Sequence, residues 1–255
     1  MQSGGLRTKG ITKTSTHEKP LITLVTVVYN GEATLEQTIQ SVVNQTYDNV
    51  EYIIIDGAST DTTLDIIKKY EDKIDYWQSE PDKGIYDAMN KGIIHATGEY
   101  IALLNSGDWY EKETVETIVN KIRLNQNADI YYGMMRICSE DRKFLWVYGY
   151  THTYLEKAMI SHPTSFVKKS LYDKYHYSLD YKSAADYDLF LTFLQNNCTF
   201  CFIEKILANY ILGGMSDSFK GKKETSLVRY KHKVISFKIF IIHFIVYSIL
   251  GIFSK

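Results

Sequence analysis

Three short polar clusters, each where an apolar run ends or a helix begins, hold the acidic residues best suited to chemistry. In the first, Asp56 directly follows VEYIII and opens the turn DGASTD at 56–61. Its carboxylate can accept a hydrogen bond from the N–H of a base, and Gly57 permits the tight turn. An ordinary strand-to-helix turn capped by Ser, Thr and Asp explains the same residues equally well.

The second cluster, NSGDW at 105–109, ends the apolar run EYIALL. Asp108, at the end of a buried strand, is well placed to meet a divalent cation that a diphosphate already holds. Hard cations prefer oxygen ligands and keep several from substrate or water, so one protein carboxylate is sufficient. Taken alone, the cluster is explained equally well as a turn.

The third cluster, AADYD at 184–188, opens a predicted helix. Acids in a first helical turn commonly complement the helix dipole, and for this cluster alone that structural explanation is favoured. If Asp186 instead faces a ligand bound at the strand ends, it can act as a base and take the proton from a reacting hydroxyl. The presence of the other two clusters favours this second interpretation.

Further polar residues near the predicted strand ends complete the candidate site. Lys83 lies at a helix start beside Gly84 and can contact phosphate. Tyr29 and Asn30 close the first strand, where they can offer a stacking face and polar contacts to a base. His162 either touches the acceptor or merely begins a strand, and both interpretations stay open.

The elements that position these clusters alternate as strand–helix units over the first 130 residues. Apolar runs predict strands at 21–29, 50–55, 74–79 and 99–104, and helical periodicity predicts helices from Leu35 and over 62–70, 85–96 and 111–124. This order predicts a parallel sheet with right-handed crossovers, which binds ligands beyond the carboxyl ends of its strands. After Ala128, runs at 129–134 and 143–149 predict short antiparallel strands, and a helix follows over 184–196.

The two ends of the chain differ from its middle. Residues 1–19 are polar, rich in Gly, Thr and Lys, and predict a disordered tail without a secretory signal. Residues 216–255 carry eight Lys or Arg against two acids. Their stretch from Val234 to Phe253 is nearly all apolar, which together with the basic residues before it predicts a membrane-seated helix on the cytoplasmic side. The alternative is a buried C-terminal core helix.

Composition limits the remaining possibilities. With 255 residues, 45% of them hydrophobic, the chain can form one main domain, placed at 20–215. Cys138, Cys198 and Cys201 form no even disulfide framework, so the cytoplasm is expected. A transporter or channel is disfavoured because at most one segment has membrane length. No nucleic-acid partner is expected.

Taken together, these residues resemble the family 2 inverting glycosyltransferases, specifically the bacterial members that build O-antigen, capsule or colanic-acid-like exopolysaccharide. The resemblance covers about residues 20–215 and is carried, in order, by TVVYNGEATLEQTIQSVVNQTY, YIIIDGASTDTT, DKGIYDAMNKGIIHATGEYIALLNSGD, ISHPTSFVKKSLY, SAADYDLFLTF and GGMS. It implies an α/β GT-A fold with a mixed, mainly parallel sheet flanked by helices. It also implies a nucleotide diphosphate-sugar donor, a divalent metal (Mg²⁺ or Mn²⁺) and inversion by direct displacement.

The family's roles fall on residues already singled out. By this resemblance Asp56 is similar to the uracil-reading acid, Asp108 to the last, metal-binding acid of an Asp-x-Asp motif, and Asp186 to the catalytic base. The implied nucleotide-sugar contacts also include Tyr29, Asn30, Lys83, Asn105 and Ser106. The sequence departs from the pattern where Asn105 and Gly107 replace acids and where Ala185 replaces a Glu found in many members.

The sequence therefore predicts an enzyme that transfers a sugar from a UDP-sugar to a hydroxyl of a lipid-linked saccharide acceptor. Asp56 suits uracil N3–H but also guanine, so UDP is preferred over GDP. The expected location is the cytoplasmic face of the bacterial inner membrane, and the expected process is surface polysaccharide synthesis. The alternative is a non-catalytic, membrane-tethered protein that binds nucleotide sugars or serves as a scaffold. Asn105 and Gly107, which stand in place of acids, favour it.

Overall fold

The computed structural model describes residues 1–124, 128–214 and 218–253. Its strands are β1 Gln2–Gly4, β2 Ile22–Val28, β3 Val50–Asp56, β4 Tyr76–Ser79, β5 Tyr100–Asn105, β6 Trp109–Tyr110, β7 Ile130–Cys138, β8 Phe144–Tyr148, β9 Phe166–Lys168 and β10 Phe200–Ile211. Its α-helices are α1 Leu35–Val43, α2 Thr63–Lys69, α3 Ile85–His95, α4 Thr114–Leu124, α5 Lys169–Tyr172, α6 Ala185–Gln195, α7 Phe219–Lys231 and α8 Phe237–Phe253. Short 3₁₀ turns cover Leu6–Lys9, His152–Tyr154 and His162–Thr164.

The strands form one mixed sheet in the order β1-β4-β3-β2-β5-β9-β7-β10-β6, with β8 added to β7. The neighbours β4, β3, β2 and β5 run parallel, as predicted for the first half of the chain. Strand β9 runs antiparallel to β5 and β7, and β8 antiparallel to β7, whereas β10 runs parallel to β7. The carboxyl ends of β3, β2 and β5 therefore meet at one edge, where ligands bind in open α/β sheets.

A hydrophobic core lies on each face of the sheet. Side chains alternate along a strand, so that Leu24 of β2 joins one core and its neighbour Val25 joins the other. Helices α1, α2 and α4 cover the first face, and α3 and α6 cover the second. The resulting three layers hold the helix starts and strand ends that carry the polar clusters in fixed relative positions.

The N-terminal segment differs from the disordered tail predicted for residues 1–19. Strand β1 pairs antiparallel with β4, and two basic side chains anchor the segment to the domain. Arg7 lies 3.3 Å from the buried Glu51, and Lys13 lies 2.8 Å from the buried Asp75. The prediction of disorder was wrong because polar composition does not reveal that these cations pair with carboxylates buried in the domain.

The C-terminal segment forms two helices that pack on one another. Tyr230 of α7 stacks on Phe240 of α8 at 5.1 Å between ring centroids, and Ser226 lies 3.0 Å from His243. Among the described helices, none is long and apolar enough to cross a membrane. Helix α8 nevertheless exposes a broad apolar surface that includes Phe237, Ile242 and Ile245, so it is not a buried core helix. Residues 215–217, which end the GGMS motif and begin the predicted tail, lie outside the described residues, as do 254 and 255.

Candidate active site

A cavity of about 450 Å³ opens beyond the carboxyl end of β5, between the starts of α3 and α6 and the end of β10. Four of the predicted site residues line this cavity, namely Asn105, Ser106, Asp108 and Asp186. The other four do not line it, namely Tyr29, Asn30, Asp56 and Lys83. The structure thus brings the proposed metal ligand and the proposed base to one cavity, although 78 positions separate them in the sequence.

Asp108 lies on a tight turn between β5 and β6. Gly107 adopts a φ of +105°, a conformation that favours glycine, and reverses the chain. The Thr38 hydroxyl, on α1, donates to the carbonyl of Asp108 at 2.8 Å and accepts from the N–H of Gly107 at 3.0 Å. Two backbone groups of the turn are therefore hydrogen-bonded to α1, which covers the sheet.

The carboxyl group of Asp108 is almost fully enclosed. The residue is 5% exposed, and its Oδ1 accepts a 3.2 Å hydrogen bond from the N–H of Ile211. Burial raises the pKa of this carboxyl to about 8, an effect that the hydrogen bond from Ile211 only partly offsets. With one donor among the described residues, this buried carboxyl is poorly compensated as an anion. A bound cation is the kind of partner that would stabilise its charge.

Asn105 supplies a second oxygen, which has no hydrogen-bond partner among the described residues. Its Oδ1 is buried and makes no hydrogen bond, although the residue lines the same cavity as Asp108. Amide and carboxylate oxygens are ligands that Mg²⁺ and Mn²⁺ accept. No group of three or more His, Cys, Asp and Glu side chains that could hold a metal occurs in the described part of the chain. These two residues fit a cation whose other ligands come from substrate or water.

Asp186 lies in the first turn of α6, partly buried at the cavity wall. The hydroxyl of Tyr86, at the start of α3, donates a 3.0 Å hydrogen bond to its Oδ1. Its neighbour Ala185 is fully buried among the core residues of that face. A longer side chain at position 185 would have to displace core residues. The carboxylate of Asp186 is instead held by the hydroxyl of Tyr86.

Helix α7 holds the segment that leads into α6. The carboxylate of Glu224 accepts from the N–H of Lys182 at 2.9 Å and from the N–H of Ser183 at 2.7 Å. At the outer side of α6, Nε2 of His232 lies 2.9 Å from Oδ1 of Asp188. Lys182 and Ser183 line the cavity, so the C-terminal helices are joined directly to the wall that carries Asp186.

The first polar cluster lies at the neighbouring strand ends. Asp56 is fully buried, and its carboxylate accepts from the Ser79 hydroxyl at 2.6 Å and from the hydroxyl of Ser59 at 2.5 Å. Tyr29 is 64% exposed, and Asn30 takes a positive φ of 50° while its Oδ1 accepts from the N–H of Thr60. The sheet register aligns Asp56 with Val28 and Asn105 with Val27, so this cluster adjoins the cavity.

Lys83 is exposed, and the structure does not bring it into the cavity. Its backbone N–H caps the turn before α3 by donating to Asp87 at 3.1 Å. The contact of its side chain with phosphate stays a prediction.

His162 lies between the cavity and a second one beside it. Its Nε2 is 2.9 Å from the hydroxyl of Tyr177, and burial lowers the pKa of the imidazole despite the opposing effect of the Asp186 charge. The residue opens a 3₁₀ turn instead of a strand, so the interpretation that His162 begins a strand is wrong. A neutral imidazole here donates one hydrogen bond and accepts another, and it brings no charge to the site.

Several residues around the two aspartates have no local sequence signal. Thr38 and Ile211 reach Asp108 from positions 70 and 103 residues away, and Tyr86 reaches Asp186 across 100 residues. Their side chains are of ordinary type in amphipathic elements, and only the tertiary fold reveals their contacts. The motif IYDAMNK did carry Tyr86, but its tyrosine reads equally well as a core residue of α3.

Comparison with known proteins agrees with this arrangement. The model of the family described as Glycosyl transferase family 2 matches residues 23–186, more than half of the chain, and the chain belongs to that family. An uncharacterized glycosyltransferase of Mycobacterium tuberculosis is 34% identical over 180 residues, which cover 68% of this chain and 68% of that protein. A PGL/p-HBAD biosynthesis glycosyltransferase of Mycobacterium bovis is 27% identical over 212 residues, covering 80% and 82%. The protein is thus a glycosyltransferase.

Two solved structures show the same fold. Residues 1–349 of S. aureus TarS, in complex with UDP, match with a TM-score of 0.67 at 18% identity, covering 83% of this chain and 65% of that one. The mannosyltransferase PcManGT from Pyrobaculum calidifontis, in complex with GDP-Man and Mn²⁺, matches with a TM-score of 0.67 at 16% identity, covering 86% and 65%. The chain therefore spans slightly less than two thirds of each of these, and the match concerns the GT-A-like fold.

Proposed function

We propose that the protein is an inverting glycosyltransferase that moves a sugar from a UDP-sugar to a hydroxyl of a lipid-linked saccharide acceptor in bacterial surface polysaccharide synthesis. The observation that carries the proposal is the meeting of Asp108 and Asp186 at one cavity beyond the strand ends. Asp108 lies beyond a strand end, where ligands bind in this fold class, and Asp186 lies at a helix start on the wall of the same cavity.

The donor's nucleoside is placed by the cluster at the ends of β2 and β3. Asp56 is held by Ser59 and Ser79, and its carboxylate oxygens keep capacity for one further N–H, which uracil N3 offers. Tyr29 is exposed beside Gly57, where its ring can cover the base. The TarS structure with UDP supports this choice of nucleotide, and the PcManGT structure with GDP-Man keeps GDP as the competitor to test.

A divalent cation fits the diphosphate end of the site. Asp108 would hold it, with Asn105 Oδ1 beside it, and the ion would neutralise charge that develops on the departing nucleoside diphosphate. Ser106 offers a hydroxyl next to the same phosphates and is itself 3.1 Å from the hydroxyl of Thr34. The Mn²⁺ in the PcManGT structure supports a divalent metal for this fold.

Asp186 acts as the base. It takes the proton of the acceptor hydroxyl while that oxygen attacks the anomeric carbon, the bond to the diphosphate breaks, and the configuration inverts. The Tyr86 hydroxyl occupies Oδ1, which leaves Oδ2 to face the incoming proton. His162, whose pKa is lowered by burial, borders the acceptor side as a weaker base than an exposed imidazole.

The C-terminal helices seat the enzyme on a membrane surface. The exposed apolar face of α8 and the basic residues of α7, among them Lys220, Lys222 and Lys223, suit a helix lying in the interface of anionic lipid. The location we propose is the cytoplasmic face of the inner membrane, where a lipid-linked acceptor is available. Truncation after Ser236 should release the protein from anionic vesicles in a flotation assay. Unchanged flotation would contradict membrane binding through α8.

The alternative is a membrane-tethered protein that binds nucleotide sugars without turnover. Asn105 and Gly107, which replace acids of the motif, are the observation that favours it. A donor screen separates the two. UDP-, GDP- and dTDP-sugars are added with Mn²⁺, and both thermal stabilisation and nucleoside diphosphate release are recorded. Stabilisation with release supports the enzyme, stabilisation without any release supports the binding protein, and stabilisation by GDP-sugars alone contradicts the UDP assignment.

A further inference from the structure

A second cavity, of about 310 Å³, adjoins the candidate active site. The two cavities share the wall formed by His162, Pro163, Asp186, Tyr210 and Leu212. Asp186 therefore opens on both. If the donor occupies the first cavity, a group that enters the second brings its attached hydroxyl to the same carboxylate.

The rest of this second cavity is apolar. Its other lining side chains are Met135, Ile137, Trp146, Tyr148, Met159 and Ile160. Met135, Ile137, Met159 and Ile160 offer only hydrocarbon and thioether groups, and the indole of Trp146 adds a single N–H donor. A sugar ring buried among these side chains would lose most of its bonds to water without replacement. The one phenol in that list is already engaged, because Tyr148 donates to the carbonyl of Met159 at 2.5 Å.

Strand β8 extends this apolar lining to the outside. Trp146 and Tyr148 are two positions apart and so lie on one face of the strand, toward the cavity. Trp146 is 46% exposed, and on the opposite face Leu145 and Val147 are 41% and 43% exposed. An edge strand with exposed apolar side chains is a liability for a free protein, which argues that a ligand or a lipid surface covers it in use.

We propose that this cavity, the apolar slot, binds the alkyl or aryl aglycone of the acceptor. The inference rests on the proposed function, since it assumes that Asp186 serves an acceptor hydroxyl. Because the slot begins at Asp186, the apolar group lies directly beside the sugar that receives the new residue. The substrate class is thus a short glycolipid whose acceptor sugar is joined directly to its aglycone, and not the distant end of a long polysaccharide.

The test compares n-octyl and methyl β-D-glucoside as probes, below the concentration at which the octyl compound forms micelles. Binding to the full chain, with UDP and Mn²⁺ present, is followed by saturation-transfer NMR. We expect the octyl glucoside to bind at least about tenfold more tightly, as burial of several methylenes predicts. Equal binding of the two would show that the slot stacks sugar rings instead and would overturn the proposal.

Variants locate the alkyl group, since α8 offers a competing apolar surface. Trp146→Ala should abolish the octyl preference, whereas Leu145→Ala, on the outer face of the same strand, should retain it. Met159→Gln, of similar volume, should weaken the preference even if Trp146→Ala fails to fold. A preference that survives both slot variants places the alkyl chain elsewhere and overturns the proposal. UDP-dependent stabilisation is measured in parallel. Absence of UDP-dependent stabilisation in the wild type contradicts the proposed function, whereas absence of the octyl preference alone contradicts only the apolar slot.

Discussion

Tyr86 and Asp186, 100 residues apart in the sequence, meet through a 3.0 Å hydrogen bond from the phenol to Oδ1 of the carboxylate. The tyrosine begins α3 and the aspartate begins α6, so the contact joins the two helices that flank the cavity. Ring stacking of Tyr86 on Tyr177, with 5.6 Å between centroids, restrains the phenol in turn. The proposed base is thus oriented by a rigid neighbour and not by an acid at position 185.

Tyr86→Phe should lower kcat while leaving the KM for the donor nearly unchanged. A hydrogen bond to a carboxylate contributes about 1.5–3 kcal/mol, which corresponds to a loss of about ten- to a hundredfold if all of it orients the base. Steady-state kinetics of nucleoside diphosphate release measure the split. Tyr187→Phe is the matched control, since Tyr187 lies on α6 beside Asp186 but its hydroxyl donates to the carbonyl of Leu155 in the core. A kcat loss of equal size in both variants would show a structural effect only.

Removing the buried carboxyl of Asp108 should change how stability depends on pH. Its folded-state pKa of about 8 lies above the value of about 3.9 for an unfolded aspartate, so folding takes up a proton between these values. The corresponding stabilisation is complete below about pH 4 and is lost as the pH rises through 8. In EDTA, the Tm of Asp108→Asn relative to that of the wild type should therefore rise between pH 5 and pH 9.

Mn²⁺ with UDP should reverse that shift for the wild type at pH 8 and leave Asp108→Asn unchanged, because a bound cation stabilises the ionised carboxylate. A constant Tm difference across the pH range would contradict the burial argument. Equal stabilisation of both proteins by Mn²⁺ with UDP would contradict the metal role.

Glu224 should control the order of the segment before Asp186. Its carboxylate accepts from the N–H groups of both Lys182 and Ser183, and Glu224→Ala leaves those two donors without it. We expect faster amide hydrogen exchange at Lys182 and Ser183 and a fall in kcat. Lys220→Ala, at an exposed position of the same helix, should change neither. Unaltered exchange at both amides in the Glu224 variant would rule out this coupling.

The N-terminal segment should contribute to stability as part of the domain. Lys13→Ala leaves Asp75 buried without its cation. Removing one partner of a fully buried pair costs about 3–5 kcal/mol, and we expect roughly 2–3 kcal/mol because Lys13 is 30% exposed. Lys19→Ala removes an exposed pair with Asp48 and should cost about 0.5 kcal/mol or less. Urea unfolding measures both, and equal small losses would show that residues 1–19 are dispensable.

Much of the fold was accessible from the sequence because local patterns determine it. The β-branched runs that became β2 and β3, and the periodic residues of α3 and α6, carry their own signal, and the observed ends differ from the predicted ones by only a few residues. The N-terminal segment was not accessible, since Lys13 and Arg7 are stabilised by carboxylates in strands and loops far along the chain.

The candidate site divides in the same way. Asp108 and Asp186 could be predicted from their places at a strand end and a helix start, and they line one cavity. The contacts that tune them could not, because Thr38, Tyr86 and Ile211 act across 70 or more residues. Lys83 shows the converse: its position at a helix start was correctly predicted, yet its side chain does not line the cavity.

The most direct test of the account separates binding from transfer at the two aspartates. Mn²⁺-dependent UDP affinity is measured by calorimetry, and transfer is measured with the donor and acceptor that give wild-type turnover. Asp186→Asn should bind UDP as the wild type does and lose about 10²–10⁴-fold in kcat, whereas Asp108→Asn should lose Mn²⁺-dependent binding. Asp188→Asn, two residues along the same helix, should do neither. Near-wild-type transfer by Asp186→Asn would contradict the central claim.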